Sequence, residues 1–269
     1  MWARSYLFVP ADRPERFAKA QASGADAVII DLEDAVAPNA KVAAREALAN
    51  WLDAGNRPVV VRINGVDTEW FADDLALAAR PGVSAVMLPK AERTADLACV
   101  RAAAPSASLL PLIETAVGIE CVRQLAATAG VQRLVFGSID LQLDLGISGD
   151  GDELLLYRSQ LVLASRLARL GPPVDGVSTA IDDPTALQAD AQRARRLGFG
   201  AKLCIHPRQA KPVNDAFSPT AEEIAWAHRV VAAAEHADGA AVALDGKMID
   251  RPVLLRAQGL LRQAEELGQ

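Results

Sequence analysis

Two carboxylates that follow short apolar segments could together hold a metal ion. Glu114 comes directly after the apolar residues 109–113, and Asp140 follows the next apolar segment, 133–136. If these segments are neighbouring parallel strands, which lie about 4.8 Å apart, the two acids come close together. Such charges repel each other by about 4 kcal/mol at roughly 4 Å and an effective dielectric near 20, unless a cation lies between them. Because Mg²⁺ prefers oxygen ligands, the pair predicts a magnesium site; the alternative is that each acid caps the following helix.

An acidic cluster and an arginine follow two other apolar segments. Asp31, Glu33 and Asp34 lie at the end of the second segment, and Arg62 ends the third. The acids could hold water molecules on a metal ion, or they could form a solvated loop with a helix cap. Arg62 could polarise a carbonyl oxygen or bind a carboxylate with its forked guanidinium, or it could form a purely structural ion pair.

Basic residues near the N-terminus are candidates for binding phosphate groups. Arg13, Arg16 and Lys19 follow the first apolar segment and would lie near the same end of the sheet. Surface helices commonly carry such charges, so the alternative is an ordinary solvated helix face.

Short apolar segments alternate with amphipathic stretches along most of the chain, which predicts repeated strand–helix units. The predicted strands are 6–9, 27–30, 59–63, 85–88, 109–113, 134–136, 174–177 and 201–205. The predicted helices are 15–22, 43–52, 69–79, 95–103, 118–127, 153–170 and 185–197. About eight such units indicate the α/β class and a (β/α)₈ TIM barrel, whose active site lies at the carboxyl ends of its strands. An open doubly wound sheet is the alternative, but no Gly-x-Gly-x-x-Gly follows the first strand.

The pattern changes after residue 206, which predicts a second structural part. We expect a barrel domain over residues 1–218 and a helical extension over 219–269. A helix is predicted over 221–235, with Thr220 as its cap and Glu223 completing a capping box, and a last helix ends near residue 266. The extension could act as a lid, as an arm onto a neighbouring subunit, or as both.

Charge and hydrophobicity limit the partners and the location that we expect. The net charge of −6 argues against nucleic acid as a partner. No apolar run approaches about 18 residues, so no membrane span is expected. The apolar part of the N-terminus is too short for a signal peptide, which predicts a cytoplasmic protein. The three cysteines have neither disulfide nor metal-site spacing, and we expect them to be buried thiols.

Seven motifs in order resemble the citrate lyase β-subunit-like branch of the HpcH/HpaI aldolase superfamily, whose members include malyl-CoA and citramalyl-CoA lyases. The likeness extends from about residue 4 to 260. The motifs lie at 5–17, 31–36 (Asp-Leu-Glu-Asp-Ala-Val), 61–64, 87–90, 113–115, 204–207 and 246–250 (Gly-Lys-Met-Ile-Asp).

The resemblance implies a Mg²⁺-dependent barrel, with Mn²⁺ as a substitute, that makes or breaks a carbon–carbon bond. The substrate would be a 3-hydroxyacyl-CoA of the malyl, citramalyl or citryl type, and the products acetyl-CoA, or a short acyl-CoA, and a 2-oxoacid. By motif match, Glu114 and Asp140 would hold the metal ion. Arg62 would contact the oxoacid, with Glu33 and Asp34 as further catalytic residues beside it.

The resemblance also assigns residues to coenzyme A and to a lid. Phe8, Arg13 and Lys19 match positions that contact coenzyme A in such lyases, and Asp250 matches a lid acid that a neighbouring subunit supplies. A homotrimer, or a hexamer built from trimers, is implied.

One position departs from the family pattern. Relatives often have Gly-Ala-Glu-Asp where this chain has Gly-Ser-Ile-Asp at 137–140, so an apolar residue replaces the acid before Asp140. Two other functions stay open at this point. One is a pyruvate-type aldolase that acts on free acids without coenzyme A, and the other is a non-catalytic regulator that binds acyl-CoA.

Overall fold

Eight parallel strands form a closed barrel in the computed structural model, which describes residues 2–236 and 241–268. The strands are β1 (Ser5–Pro10), β2 (Ala27–Asp31), β3 (Val59–Arg62), β4 (Val83–Leu88), β5 (Ser108–Ile113), β6 (Val135–Phe136), β7 (Val174–Asp175) and β8 (Ala201–Cys204). Each strand pairs with the next along the chain, and β8 pairs with β1. The predicted TIM barrel is therefore confirmed.

A helix follows each strand, and most of these helices lie in the predicted amphipathic stretches. They are α1 (Phe17–Gln21), α2 (Lys41–Asp53), α3 (Phe71–Ala78), α4 (Thr94–Ala103), α5 (Ala116–Glu120), α6 (Val122–Ala126), α7 (Ser138–Leu145), α8 (Leu155–Leu167), α9 (Pro184–Leu197) and α10 (Ala210–Phe217). Single 3₁₀ turns lie at Pro14–Arg16, Pro38–Ala40, Asp152–Leu154 and Pro207–Gln209.

Side chains from alternate strand positions fill the barrel, because successive residues of a strand point to opposite faces. The buried cluster consists of Tyr6, Ile29, Val60, Ala85, Met87, Leu110, Leu112, Val135, Val174, Ala201 and Leu203. A packed interior leaves the ends of the barrel for ligands, and in TIM barrels the active site lies at the carboxyl ends of the strands.

Three features differ from the expectation. The sequence pattern indicated neither α7 nor α10, and the helix predicted over 118–127 is interrupted at Cys121. α7 ends at Leu145, because Gly146 takes the left-handed conformation (φ 67°) that favours glycine. The cysteine prediction is wrong in part: Cys204 is buried, whereas Cys99 is exposed and Cys121 is partly exposed.

The chain divides into two compact units, one over Trp2–Asn214 and one mainly over Asp215–Gln269. The second unit contains α11 (Ala221–His236), a hairpin of β9 (Val242–Leu244) and β10 (Lys247–Ile249), and α12 (Arg251–Glu266). The predicted boundary after residue 218, and the packing of the extension on a neighbouring subunit, stay predictions.

Side-chain caps begin both long helices of the second unit. The predicted capping box of α11 is present: Thr220 Oγ1 accepts from the Glu223 N–H at 3.1 Å, and Glu223 Oε2 accepts from the Thr220 N–H at 2.9 Å. Asp250 precedes α12, and its Oδ1 accepts from the Val253 N–H at 3.2 Å. None of the described helices has the length and apolar character needed to cross a membrane.

A buried ion cluster joins α8 to the last two strands of the barrel. Asp175 Oδ1 accepts from Arg158 Nε at 2.9 Å, and its Oδ2 lies 3.4 Å from Lys202 Nζ. All three side chains are almost fully buried. Burial alone would raise the pKa of Asp175, but Lys202 and Arg158 outweigh it and hold the pKa below its ordinary value.

We predict that Asp175→Asn lowers the free energy of unfolding by about 3–5 kcal/mol, because buried Lys202 loses its anion and Arg158 loses its buried pair, although Arg158 keeps its pair with Asp150. Urea unfolding at pH 7 measures this loss. Asp182→Asn is a matched control: Asp182 pairs with Arg208 at 2.9 Å, but these side chains are 81% and 70% exposed. The control should lose less than about 1 kcal/mol. Equal small losses in both variants would contradict a stabilising role for the cluster.

Candidate active site

A cavity of about 410 Å³ lies at the carboxyl ends of the barrel strands. Its charged lining residues come from the ends of β2, β3 and β5 and from the first turn of α7. The lining consists of Phe8, Pro10, Asp31, Asp34, Ala35, Arg62, Leu112, Glu114, Phe136, Gly137, Ser138, Ile139, Asp140, Val177, Leu203 and Ile205. The structure therefore brings Phe8, Asp34, Arg62, Glu114 and Asp140 to one place, as the sequence predicted.

Acids hold the Arg62 guanidinium in a fixed position. Its Nε and Nη2 donate to the two carboxylate oxygens of Asp31, each at 2.7 Å. Its Nη1 lies 2.8 Å from Glu33 Oε2 and 3.6 Å from Asp34 Oδ2, and the Phe8 ring lies 4.8 Å away. Burial alone would lower the pKa of Arg62, but these acids raise it above its ordinary value. Arg62 is therefore a permanent positive charge in the cavity wall.

The acidic loop after β2 is largely buried. Besides Arg62, the Asp31 carboxylate accepts from the N–H groups of Glu33 at 2.9 Å and Ala35 at 3.2 Å. Asp31 and Glu33 are buried, and Asp34 is exposed. Burial raises the pKa of Glu33, although Arg62 opposes the rise. A solvated loop, which the sequence left open, describes Asp34 alone.

Lys41 holds this loop in place through hydrogen bonds to its carbonyl groups, and no sequence motif indicated this role. Its Nζ donates at 2.7 Å to three oxygens, the carbonyls of Leu32 and Glu33 and Oδ1 of Asn64. Burial lowers the pKa of Lys41. Lys41 shares the buried face of α2 with Ala44, Leu48 and Leu52. A lysine in an apolar helical stripe was thus the available signal.

Glu114 is a buried acid that does not cap a helix. The residue is 2% exposed, and its Oε1 accepts a hydrogen bond from the backbone N–H of Lys90 at 2.7 Å. Thr115 caps α5 instead, because its Oγ1 accepts from the Gly118 N–H at 3.0 Å. Burial raises the pKa of Glu114 to about 8, and the charges of Glu33 and Asp140 add to the rise. The negative charge of the Glu114 carboxylate is therefore unfavourable in this site, and a bound cation would stabilise it.

Asp140 lies in the first turn of α7 rather than directly at a strand end. The preceding helix cap is Gly137, and an acid in the first turn is favoured by the helix dipole. The alternative that Asp140 caps the helix is therefore wrong, since Gly137 is the N-cap and the Asp140 side chain lines the cavity.

Lys90 positions Glu114 through its backbone. It has a left-handed conformation with φ 47°, which is uncommon for a residue other than glycine. In this conformation its N–H reaches Glu114, while its Nζ lies 3.3 Å from Glu33 Oε1. Backbone strain of this kind persists where the surrounding structure imposes it, often at functional sites.

Gly137 makes room for the Glu114 side chain. A methyl group on Gly137 would overlap with Cβ of Glu114 and lie 2.6 Å from its Oε2. Glycine is therefore required at this position for the observed conformation of Glu114.

The remaining predicted residues lie elsewhere. Arg13 and Lys19 are exposed near the start of the chain, and neither contributes to the cavity lining. Arg13 Nε lies 4.0 Å from Asp12 Oδ1. Asp250 belongs to the second unit, where it caps α12.

Glu114 and Asp140 are the residues that could hold a metal ion here. Within residues 2–236 and 241–268 there is no group of three or more His, Cys, Asp or Glu side chains arranged for a metal. Two protein carboxylates with the remaining positions open suit Mg²⁺, which usually keeps several waters. They do not suit a structural zinc site, which needs four protein ligands.

Residues 4–207, which include the whole barrel, match the family model described as HpcH/HpaI aldolase/citrate lyase. The chain belongs to the HpcH/HpaI aldolase/citrate lyase family. The family that the sequence motifs suggested is thereby confirmed. The chain is accordingly an enzyme of this lyase superfamily.

Several named proteins are similar to this chain over nearly their whole length. A citrate lyase subunit beta-like protein of Mycobacterium tuberculosis is 43% identical, over 97% of this chain and 95% of that protein. A (3S)-malyl-CoA thioesterase of Cereibacter sphaeroides is 38% identical, over 98% of this chain and 95% of that protein. The structure of CitE from M. tuberculosis in complex with magnesium, acetoacetate and coenzyme A has a TM-score of 0.88 at 40% identity, covering 98% of both chains.

We predict that the stability of the metal-free protein depends on pH through Glu114. The carboxyl group ionises near pH 4.5 in the unfolded chain and near 8 in the folded one, so the folded state binds more protons between these values. Stability should therefore fall as pH rises through this window, by about 1.4 kcal/mol per unit for this group.

Glu114→Gln removes this titration and keeps the shape of the side chain. Urea unfolding is measured with a chelator present at pH 6, 7, 8 and 9. The free energy of unfolding of the variant should rise relative to that of the wild type up to about pH 8, and the difference between them should then stay constant. A difference that does not change with pH would contradict the raised pKa.

Proposed function

We propose that this enzyme catalyses Mg²⁺-dependent cleavage, or formation, of a carbon–carbon bond in a 3-hydroxyacyl-CoA thioester. The substrate is of the malyl, citramalyl or citryl type, and the products are acetyl-CoA, or a short acyl-CoA, and a 2-oxoacid. The observation that carries the proposal is the buried Glu114 beside Asp140, in a cavity whose wall also holds the fixed charge of Arg62.

The donor set fits a divalent ion. Burial and the neighbouring acids make the Glu114 charge unfavourable without a cation, as the pKa of about 8 indicates, and a dication in place of the proton would remove that cost. Glu114 and Asp140 are the ligands we propose, with Mn²⁺ as a substitute. The bound ion would supply Lewis acidity to the hydroxyl and carboxylate of the substrate.

Arg62 would stabilise the charge that develops on oxygen during the reaction. Its guanidinium is already positioned by Asp31 and Glu33, so no reorganisation is needed when the charge forms. Both carboxylate oxygens of Asp31 accept hydrogen bonds from Arg62, and Glu33 forms ion pairs with Arg62 and Lys90. Asp34 is the exposed acid of this loop that lines the cavity, and we assign it the proton of the substrate hydroxyl, directly or through water.

Cleavage then balances as a reversed aldol addition of a thioester enolate to a 2-oxoacid. The hydroxyl loses its proton, its oxygen becomes the carbonyl oxygen of the 2-oxoacid, and the electrons of the breaking C2–C3 bond pass to the thioester as an enolate. The enolate carbon takes a proton to give the acyl-thioester. We assign this proton to Asp250, supplied by the second unit of a neighbouring subunit, which requires a homotrimer or a hexamer.

Coenzyme A is proposed as the carrier of the acyl group. Support comes from the CitE structure, described as a complex with coenzyme A, and from the relative named for malyl-CoA. Phe8, Arg13 and Lys19 are the contacts we propose. Arg13 and Lys19 are exposed cations on the chain after β1, as binding of phosphate groups requires. The partners are then small molecules, and we propose a cytoplasmic location for the enzyme.

A second candidate reaction is hydrolysis of the thioester. The (3S)-malyl-CoA thioesterase of C. sphaeroides, at 38% identity, favours it. The two reactions release different products from one substrate, a 2-oxoacid in carbon–carbon cleavage and a free thiol in hydrolysis. One assay can therefore separate them.

The proposed function is tested with malyl-, methylmalyl-, citramalyl- and citryl-CoA, following 2-oxoacid and free thiol in parallel. We expect 2-oxoacid release that a chelator abolishes and that excess Mg²⁺ or Mn²⁺ restores. Thiol release alone would favour the thioesterase. Turnover of free hydroxyacids would indicate a pyruvate-type aldolase, and tight CoA binding without turnover would indicate a regulator. Full activity in excess chelator would refute the metal role.

We also predict that Gly137→Ala weakens Mg²⁺ binding at least about tenfold, because the new methyl group displaces the Glu114 carboxylate. Titration calorimetry of the metal-free protein with Mg²⁺ measures the change. Gly65→Ala is the control, since a methyl group there meets no atom within 4 Å. Unchanged affinity in Gly137→Ala would argue against Glu114 as a ligand.

A further inference from the structure

The cavity has a charged side and an apolar side. The charged residues lie after β2, β3, β5 and β6. The other side is formed by apolar residues at the ends of β6, β7 and β8: Phe136, Ile139, Val177, Leu203 and Ile205. A ligand whose polar end lies at Glu114, Asp140 and Arg62 therefore presents its remaining substituent to an apolar wall.

Ile139 lies where the two sides meet. It directly precedes Asp140 in the first turn of α7, and it is 46% exposed. An exposed isoleucine at a cavity wall gains free energy when a ligand covers it with an apolar group. A charged group in the same place would lose hydration without gaining a partner.

The charge of the wall points in the same direction. Four carboxylates line the cavity, Asp31, Asp34, Glu114 and Asp140, against a single lining cation, Arg62. Both carboxylate oxygens of Asp31 already occupy that cation, and Glu33 pairs with it as well. A divalent ion and one substrate carboxylate leave the wall still negative, so a second substrate carboxylate would find no cation among the lining residues.

We infer that Ile139 and the apolar wall select substrates whose carbinol carbon carries a short alkyl group rather than a carboxymethyl group. This inference rests on the proposed function. In the terms of that reaction, the enzyme handles citramalyl-type thioesters, which yield a 2-oxoacid with an alkyl group such as pyruvate. It rejects citryl-type thioesters, which yield oxaloacetate. Malyl-type substrates, with hydrogen at this position, fall between the two.

The test compares kcat/KM for citramalyl-, malyl- and citryl-CoA in the wild type and in Ile139→Arg. We expect the wild type to prefer citramalyl- over citryl-CoA by about 100-fold or more, because an unpaired buried charge is strongly rejected. The preference for citramalyl- over malyl-CoA, which differ by an alkyl group in place of hydrogen, should be smaller, about tenfold in kcat/KM. Ile139→Arg supplies the missing cation and should reduce the citramalyl-to-citryl ratio at least tenfold.

Leu143→Arg is the matched control. Leu143 lies one turn further along α7, is 83% exposed and does not line the cavity. It receives the same charge change, so a general electrostatic effect would move the ratio in both variants, whereas a local effect moves it in Ile139→Arg alone. Circular dichroism and thermal unfolding verify that both variants fold.

A binding measurement separates this inference from the proposed function. Titration of the Mg²⁺-loaded protein with pyruvate and with oxaloacetate should show tighter binding of pyruvate in the wild type and a reduced preference in Ile139→Arg. If no thioester is cleaved but this preference holds, the proposed function fails, while the selection of an alkyl over a carboxymethyl group by the apolar wall stands. If citryl- and citramalyl-CoA are cleaved equally well, or oxaloacetate binds as tightly as pyruvate, the inference is overturned while the lyase assignment stands.

Discussion

The charge balance around Arg62 is the constraint on which the mouth of this barrel depends. Asp31, Glu33 and Asp34 converge on one guanidinium, and acids held this close would repel each other strongly without it. Lys41 then fixes the carbonyls of the same loop. The charges of this loop are therefore compensated locally. Glu114, by contrast, receives a backbone N–H but no full countercharge of its own.

The acids of this cavity therefore differ in how well their charges are compensated by neighbouring groups. Asp31 and Glu33, which lie closest to Arg62, determine where its guanidinium lies. Glu114 and Asp140 line the same cavity, and we propose that they are the residues that bind the metal ion. Perturbed acids next to fixed cations are characteristic of active sites, and the family membership of the chain agrees with that interpretation.

Much of this arrangement follows from the sequence, because strand periodicity is a local signal. The run 109–113 is apolar throughout, as expected for a strand buried on both faces, and it ends at an acid; these two facts located both β5 and Glu114. The same reasoning found Arg62 and the acidic loop. It missed Lys41, although the helical spacing of its apolar neighbours was visible, since its three acceptors become neighbours only when the loop has folded. It also missed α7, because eight residues are too short for a helical period to stand out. The charge and position of Arg13 and Lys19 suggested phosphate binding, but their contact with coenzyme A and the role of Asp250 rest on resemblance alone.

The hydrogen bond from Lys90 to Glu114 has a consequence for how such a site changes during evolution. The donor is a main-chain amide, so replacing the side chain at position 90 leaves it in place, except for proline, which lacks the N–H. The residue types allowed at position 90 are therefore limited by the left-handed backbone conformation (φ 47°) rather than by the chemistry of the side chain. A scan of amino-acid substitutions would therefore undervalue the contact, and replacing the amide with an ester by chemical synthesis would reveal it.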